Sequence, residues 1–208
     1  MAHLTPPDLC VLHGLRVKGF AETDVLAELV ALPDPEVVGH LERFGAEGLV
    51  QRRDGRLSGW SLTAEGRTVA EQRVGADLDG AGVRDQVAST YRDFLALNGD
   101  LLAVCTAWQM KDGGSVPNDH TDEHYDHKVV QQLVDLHNEV EPVAQQLGVL
   151  LARCGRYTGR LHGALAKVLE GQGDFFAGPL VDSYHTVWFQ LHEDLLATLG
   201  IDRGSEAT

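Results

Sequence analysis

Ten histidines and 31 acidic residues give this chain two places where side-chain chemistry could concentrate. The first is the run Asn118-Asp119-His120-Thr121-Asp122-Glu123-His124-Tyr125-Asp126-His127, where imidazoles and carboxylates crowd within a few positions. On a helix His120 and His124, or His120 and His127, share a face, the spacing that metal ligands use. The Pro117-Asn118-Asp119 approach instead makes the first half a loop, and no His-Glu-x-x-His run accompanies it. A solvated loop leading into an acidic helix start accounts for His124 and His127, so no metal is assigned.

The second place is the last apolar-rich segment, Gly178 to Gly200. Val181, Tyr184, Trp188, Leu191, Leu195 and Leu199 fall on one helical stripe. Asp182, His185, Phe189, His192 and Leu196 fall on a second. So few positions remain for water that this helix is expected to lie centrally, burying Asp182, His185 and His192 at least partly. Buried polar groups need partners, and Glu193, the Asn118-Asp119-His120 turn, Tyr91 and Tyr157 are available. Such a cluster could be a core network holding helices in register. It could equally be a small-molecule pocket walled by Trp108, Tyr184, Trp188 and Phe189, because aromatic walls with a few convergent polar groups suit small ligands. The expected ligand-binding residues are therefore Trp108, Asn118, Asp119, His120, Asp182, Tyr184, His185, Trp188 and His192. Histidine with carboxylate can transfer protons, but no nucleophile, phosphate loop or cofactor motif accompanies them. The chain is read as neither an enzyme nor a cofactor protein.

These residues sit in 208 positions that are 43% apolar and 23% charged, enough for one large domain or two small ones. No run approaches 18 apolar residues, and the N-terminus lacks a basic patch before an apolar stretch, so neither a membrane span nor a secretion signal is expected. Cys10, Cys105 and Cys154 are too widely spaced for a Cys-x-x-Cys site and read as reduced thiols in a cytoplasmic protein. The formal net charge of −14 repels phosphate polymers unless a local patch reverses it. Residues 8–74 carry 8 Lys/Arg against 11 Asp/Glu, while residues 75–208 carry 9 against 20. Acidity is concentrated in the second part.

In the first part, Thr5-Pro6-Pro7-Asp8 reads as a capped helix start, followed by Leu9, Val11, Leu12 and Leu15. A short helix follows over about 22–31, and Asp34-Pro35-Glu36 opens a third. The period then shifts from 3.6 toward 2. Residues 49–53 and 56–62 flank Asp54-Gly55, a two-residue hairpin signal, and Thr63 caps the next helix. Within this stretch "LERFGAEGLVQRRDGRLSGWSLTAEGR" resembles the third helix, wing and following helix start of MarR- or PadR-like regulators. That resemblance spans roughly residues 8–74 and implies a winged helix-turn-helix that binds double-stranded DNA, third helix in the major groove and wing on the backbone. The DNA-contacting residues it implies are Gly39, His40 and Arg43 on the helix and Arg52, Arg53 and Arg56 on the wing. Arg16, Lys18 and Arg67 could assist. Asp34 and Glu36 would face phosphate oxygens, so a winged helix retained for docking or packing is the open alternative.

Gly75, Gly80 and Gly82 suggest a linker, after which helical periodicity resumes from about Val83. A break is expected at Lys111–Thr121, Pro142 is expected to kink or restart the next helix, and about five helical segments form an all-α bundle. Together, "PNDHTD" and "PLVDSYHTVWFQLHEDLLATLG" are similar to the C-terminal region of some phosphoenolpyruvate-utilising, dikinase-like proteins, in which a winged-helix-like segment precedes it. This second resemblance implies an accessory or sensing module and singles out Asn118, Asp119, His120, Asp182, His185 and His192 without assigning chemistry.

The expected architecture is mainly α: a winged helix-turn-helix over 1–74, a helical bundle over 83–200 and a flexible tail over 201–208. The expected function is a homodimeric, DNA-binding transcriptional regulator whose helical domain binds a small-molecule effector and shifts the two winged helices against their half-sites. The alternative is an accessory or protein-interaction module, without DNA binding, related to phosphotransfer proteins that use phosphoenolpyruvate.

Overall fold

The computed structural model describes residues 1–55, 58–202 and 204, and these are mainly helical. Their contacts divide into two units. One comprises His3–Arg84 with the stretch from His192 onward, and the other Asp85–Leu191 with Met1 and Ala2.

The first unit runs α1 (Pro7–Lys18), β1 (Phe20–Ala21), α2 (Thr23–Val30), α3 (Asp34–Ala46), β2 (Val50–Arg53), β3 (Gly59–Leu62) and α4 (Ala64–Ala81). Leu12, Leu15, Leu26, Val37, Leu41, Phe44 and Val50 are buried together, one apolar stripe from each element. The strands form an antiparallel sheet in the order β1-β3-β2, with Phe20 opposite Ser61 and Arg53 opposite Gly59. β1 had no sequence signal, because two residues are too short to show a period.

Several local expectations are corrected. Arg53 pairs with Gly59, a register that a two-residue Asp54-Gly55 turn does not allow, while residues 56 and 57 lie outside the described residues. The central strand explains the register: a Cβ at Gly59 would lie 2.6 Å from the Phe20 ring and 2.7 Å from the Ala21 carbonyl oxygen, so only glycine can sit where β1 crosses. Thr5 does not cap α1. Its hydroxyl donates to Asp77 at 3.0 Å, and the helix starts after Pro6 without a side-chain cap. Thr63 does cap α4, accepting from the Gly66 backbone N–H at 3.0 Å. Finally, α4 runs unbroken through Gly75 and Gly80, because buried Ala70, Val74 and Leu78 hold its stripe; the break comes at Gly82, with φ +68°.

The second unit contains α5 (Arg84–Ala96), α6 (Asn98–Gln109), the two-stranded β4 (Met110–Lys111) and β5 (Val116–Pro117), α7 (Glu123–Leu150), α8 (Gly155–Leu169), α9 (Asp174–Ala177) and the start of α10 (Tyr184–Leu199). Asp122 caps α7 by accepting from Tyr125 N–H at 3.0 Å, with Glu123 and Asp126 in the first turn where the helix dipole favours acids. α7 continues through Pro142 without a break. Residues 151–154 then reverse the chain into α8.

α10 is not wholly part of the bundle, as the apolar pattern had suggested. Residues from His192 belong to the first unit. There Asp194, fully buried, pairs with Nε2 of buried His13 at 2.8 Å and accepts from the Thr198 hydroxyl at 3.2 Å. Arg16 reaches Glu193 at 3.2 Å and Glu71 at 2.6 Å beside it. Residues 203 and 205–208 of the expected tail lie outside the described residues.

Candidate functional site

Within the second unit a cleft of about 940 Å³ lies between the end of α6, the start of α7, the end of α8 and α9. Its floor begins with Trp108, whose indole stacks on Phe176 at 4.4 Å and 1° between planes. The His120 ring lies 4.4 Å from the same indole. Gly173 admits this stack, since a Cβ there would stand 3.1 Å from the indole.

A polar scaffold orders the loop that carries His120. Asn118 Nδ2 donates to the Trp108 carbonyl at 3.0 Å and to Asp126 Oδ1 at 2.8 Å. Asn118 Oδ1 accepts from His120 N–H at 3.1 Å, closing an Asx turn that holds His120 at φ +55°. Asp126 Oδ2 sits 3.0 Å from His120 Nδ1. The Tyr125 hydroxyl, from the first turn of α7, donates to the Ala107 and Met110 carbonyls at 3.0 and 3.1 Å. Asp119 turns away toward Lys111 Nζ at 3.1 Å; that ammonium, then the Thr121 hydroxyl and N–H, bring its carboxyl down to about 2. The wall carries three carboxylates (Glu123, Asp126 and Asp174), His127, Gln131 and Phe175, and Lys167 Nζ lies 4.0 Å from the centre of the Phe175 ring. Such a cleft has an aromatic face and an anionic rim.

Of the expected ligand-binding residues, the structure brings together Trp108, Asn118, Asp119 and His120, with Trp108 and His120 lining the cleft. The others stand elsewhere. Tyr184 and Trp188 are fully buried: Trp188 packs on Phe94 at 4.7 Å and donates to Asn98 at 3.2 Å, and Tyr184 O–H meets His137 Nδ1 at 3.2 Å. Burial pushes the Tyr184 phenol well above its usual value and lowers the His137 imidazole. Asp182 is exposed and accepts from Arg160 Nη2 at 2.9 Å and Nε at 3.0 Å, rather than joining a buried cluster. His185 is half-buried, its pKa lowered by burial, and His192 is buried in the first unit. The single aromatic and histidine pocket drawn from the stripes of α10 therefore does not assemble. A stripe gives direction around a helix axis, but here consecutive turns pack in different units.

Asp126, Phe175 and Phe176 were absent from the expected site. Asp126 lies one turn beyond the Asp122 cap, which is the available sequence signal; the two phenylalanines lie on a four-residue helix too short for periodicity.

In the first unit, α3 turns Val37, Leu41 and Phe44 inward and leaves Asp34, Glu36, Gly39, Glu42 and Arg43 exposed. His40 is half-buried, its Nδ1 3.3 Å from Arg43 Nη2. Arg43 also reaches Asp8 at 3.3 Å and Glu47 at 3.9 Å. Arg52 and Arg53 are exposed on β2, the former 2.9 Å from Asp54 and near the Trp60 ring, the latter over the Phe20 ring. Arg56 lies outside the described residues. Comparison with known proteins finds no matching family model, no matching curated protein and no matching solved structure.

Proposed function

We propose that this chain is a DNA-binding regulator: its first unit acts as a winged helix, and the cleft of its helical unit takes a small-molecule signal. The observation that carries this reading is the element order α1-β1-α2-α3-β2-β3 with sheet order β1-β3-β2 and exposed Asp54, Gly55 and Ser58 beside Arg52 and Arg53. In a winged helix the β2–β3 connection lies on the DNA backbone, and α3 enters the major groove. Arg52 and Arg53 then bind phosphates. Gly39 gives close approach, while His40 and Arg43 donate to base edges. The pairs of Arg43 with Asp8 and Glu47 are solvent-exposed and of little strength, so phosphate or guanine displaces them readily.

The cleft selects its ligand by charge. Three carboxylates around the Trp108 indole suit a cation with an apolar body, held by ion pairing and cation–π contact.

A second reading is favoured by one observation. α3 with its C-cap exposes Asp34, Glu36, Glu42 and Glu47 around Arg43, a surface suited to a basic protein partner. Neutralising Asp34→Asn with Glu36→Gln discriminates between the two. The regulator gains duplex affinity severalfold in fluorescence anisotropy with an unchanged circular dichroism spectrum. A variant that still ignores DNA at low salt favours the docking reading.

A further inference from the structure

His137 and Glu141 lie one turn apart on α7, and His162 lies on α8; one ligating atom from each falls within 4.8 Å of the other two. The two imidazole rings stand 5.9 Å apart. His137 is 5% exposed. Its Nδ1 is engaged by the Tyr184 hydroxyl at 3.2 Å, while its Nε2 is buried with no hydrogen-bond partner among the described residues. An imidazole nitrogen left without a partner in the interior costs desolvation energy that a ligand can recover. Around it, α7 and α8 bring a carboxylate and a second imidazole, both accessible to solvent.

From this juxtaposition we propose that His137, Glu141 and His162 form a binding site for a divalent transition metal, Zn²⁺ by its ligand chemistry. Two imidazoles and one carboxylate are a zinc donor set that leaves a fourth, solvent-facing position. Tetrahedral bonds of ~2.0–2.1 Å set donor atoms about 3.3 Å apart, so on binding the three donors close in from their present separation of up to 4.8 Å. Tyr184 supplies the outer contact that metal-bound imidazoles require: its oxygen accepts from His137 Nδ1–H, fixing the tautomer that offers Nε2 to the ion. This site is separate from the cleft at Trp108 and does not depend on DNA binding.

The test is titration of the full, EDTA-treated chain with Zn²⁺ by calorimetry, and with Co²⁺ by visible absorption. The wild type is expected to take up one ion per chain and to show the Co²⁺ bands of a tetrahedral nitrogen and oxygen site. Glu141→Gln and His162→Ala, at half-buried and exposed positions, keep the fold by circular dichroism and weaken binding at least tenfold. Tyr184→Phe lowers affinity about tenfold to a hundredfold through the lost tautomer contact. Failure of the wild type to bind a stoichiometric ion overturns the proposal. So does equal affinity in wild type, Glu141→Gln and His162→Ala, which would put the ion elsewhere on the chain.

Discussion

Within the first unit a buried hydrogen bond joins His13 to Asp194, residues 181 positions apart in sequence. Both are buried, and Thr198 supplies Asp194 with a further donor. Truncating one member of such a pair strips the other of a buried polar partner, a loss of about 3–5 kcal/mol. His13→Ala and Asp194→Ala are each expected to show that loss in urea unfolding, and the double variant to lose much less than their sum. Nothing local to either residue announces the pair: His13 sits on an apolar face, and Asp194 follows a glutamate that looks equally available. His185 makes a separate, pH-dependent contribution. Burial lowers its pKa below 6.5, so the folded state binds its proton less readily than the unfolded chain. Stability from the neutral ring is complete above about pH 6.5, and is lost as pH falls through the lower folded value. In His185→Gln, urea midpoints measured from pH 7.5 to 5 are expected to fall less than in the wild type.

At the scale of elements, the turn into α4 is the tightest fit. A Cβ at Gly66 would lie 1.8 Å from the Leu49 carbonyl oxygen, which already accepts from Thr63 N–H at 3.0 Å and approaches the Thr63 hydroxyl at 3.3 Å. The backbone has no room to relax there, so Gly66→Ala is expected to cost about 3 kcal/mol in thermal or urea unfolding. Elements of this kind were legible wherever period and cap coincide. Thr63 announced α4, Val37, Leu41 and Phe44 announced α3, and the Gly/Pro/Asn-rich run marked the 111–121 break. Elsewhere long-range packing overrides local preference. Gly75 and Gly80 weaken a helix on propensity alone, yet the Ala70, Val74 and Leu78 stripe keeps α4 whole. The Asp54-Gly55 signal yielded to a register fixed on the far edge of β3. In the candidate site, clustering in sequence pointed to Asn118, Asp119 and His120 because their turn is local. Nothing in the sequence reading singled out His137, Glu141 or His162, since their meeting depends on how α7 meets α8.

On the scale of the molecule, no described helix is long and apolar enough to cross a membrane. The net charge of −14 makes any DNA contact a local affair of a few arginines against an anionic body. That gives the central claim a quantitative signature, because each phosphate contact adds about 0.9 to the slope of log affinity against log salt. The most direct measurement is anisotropy of labelled duplex DNA titrated with the full chain at several salt concentrations, beside Arg52→Ala with Arg53→Ala. The wild type is predicted to bind at low salt with a steep negative slope, and the double variant to bind more weakly with a slope shallower by about 2. Folded protein that leaves the duplex unbound at low salt, or a slope that ignores both arginines, would contradict the account.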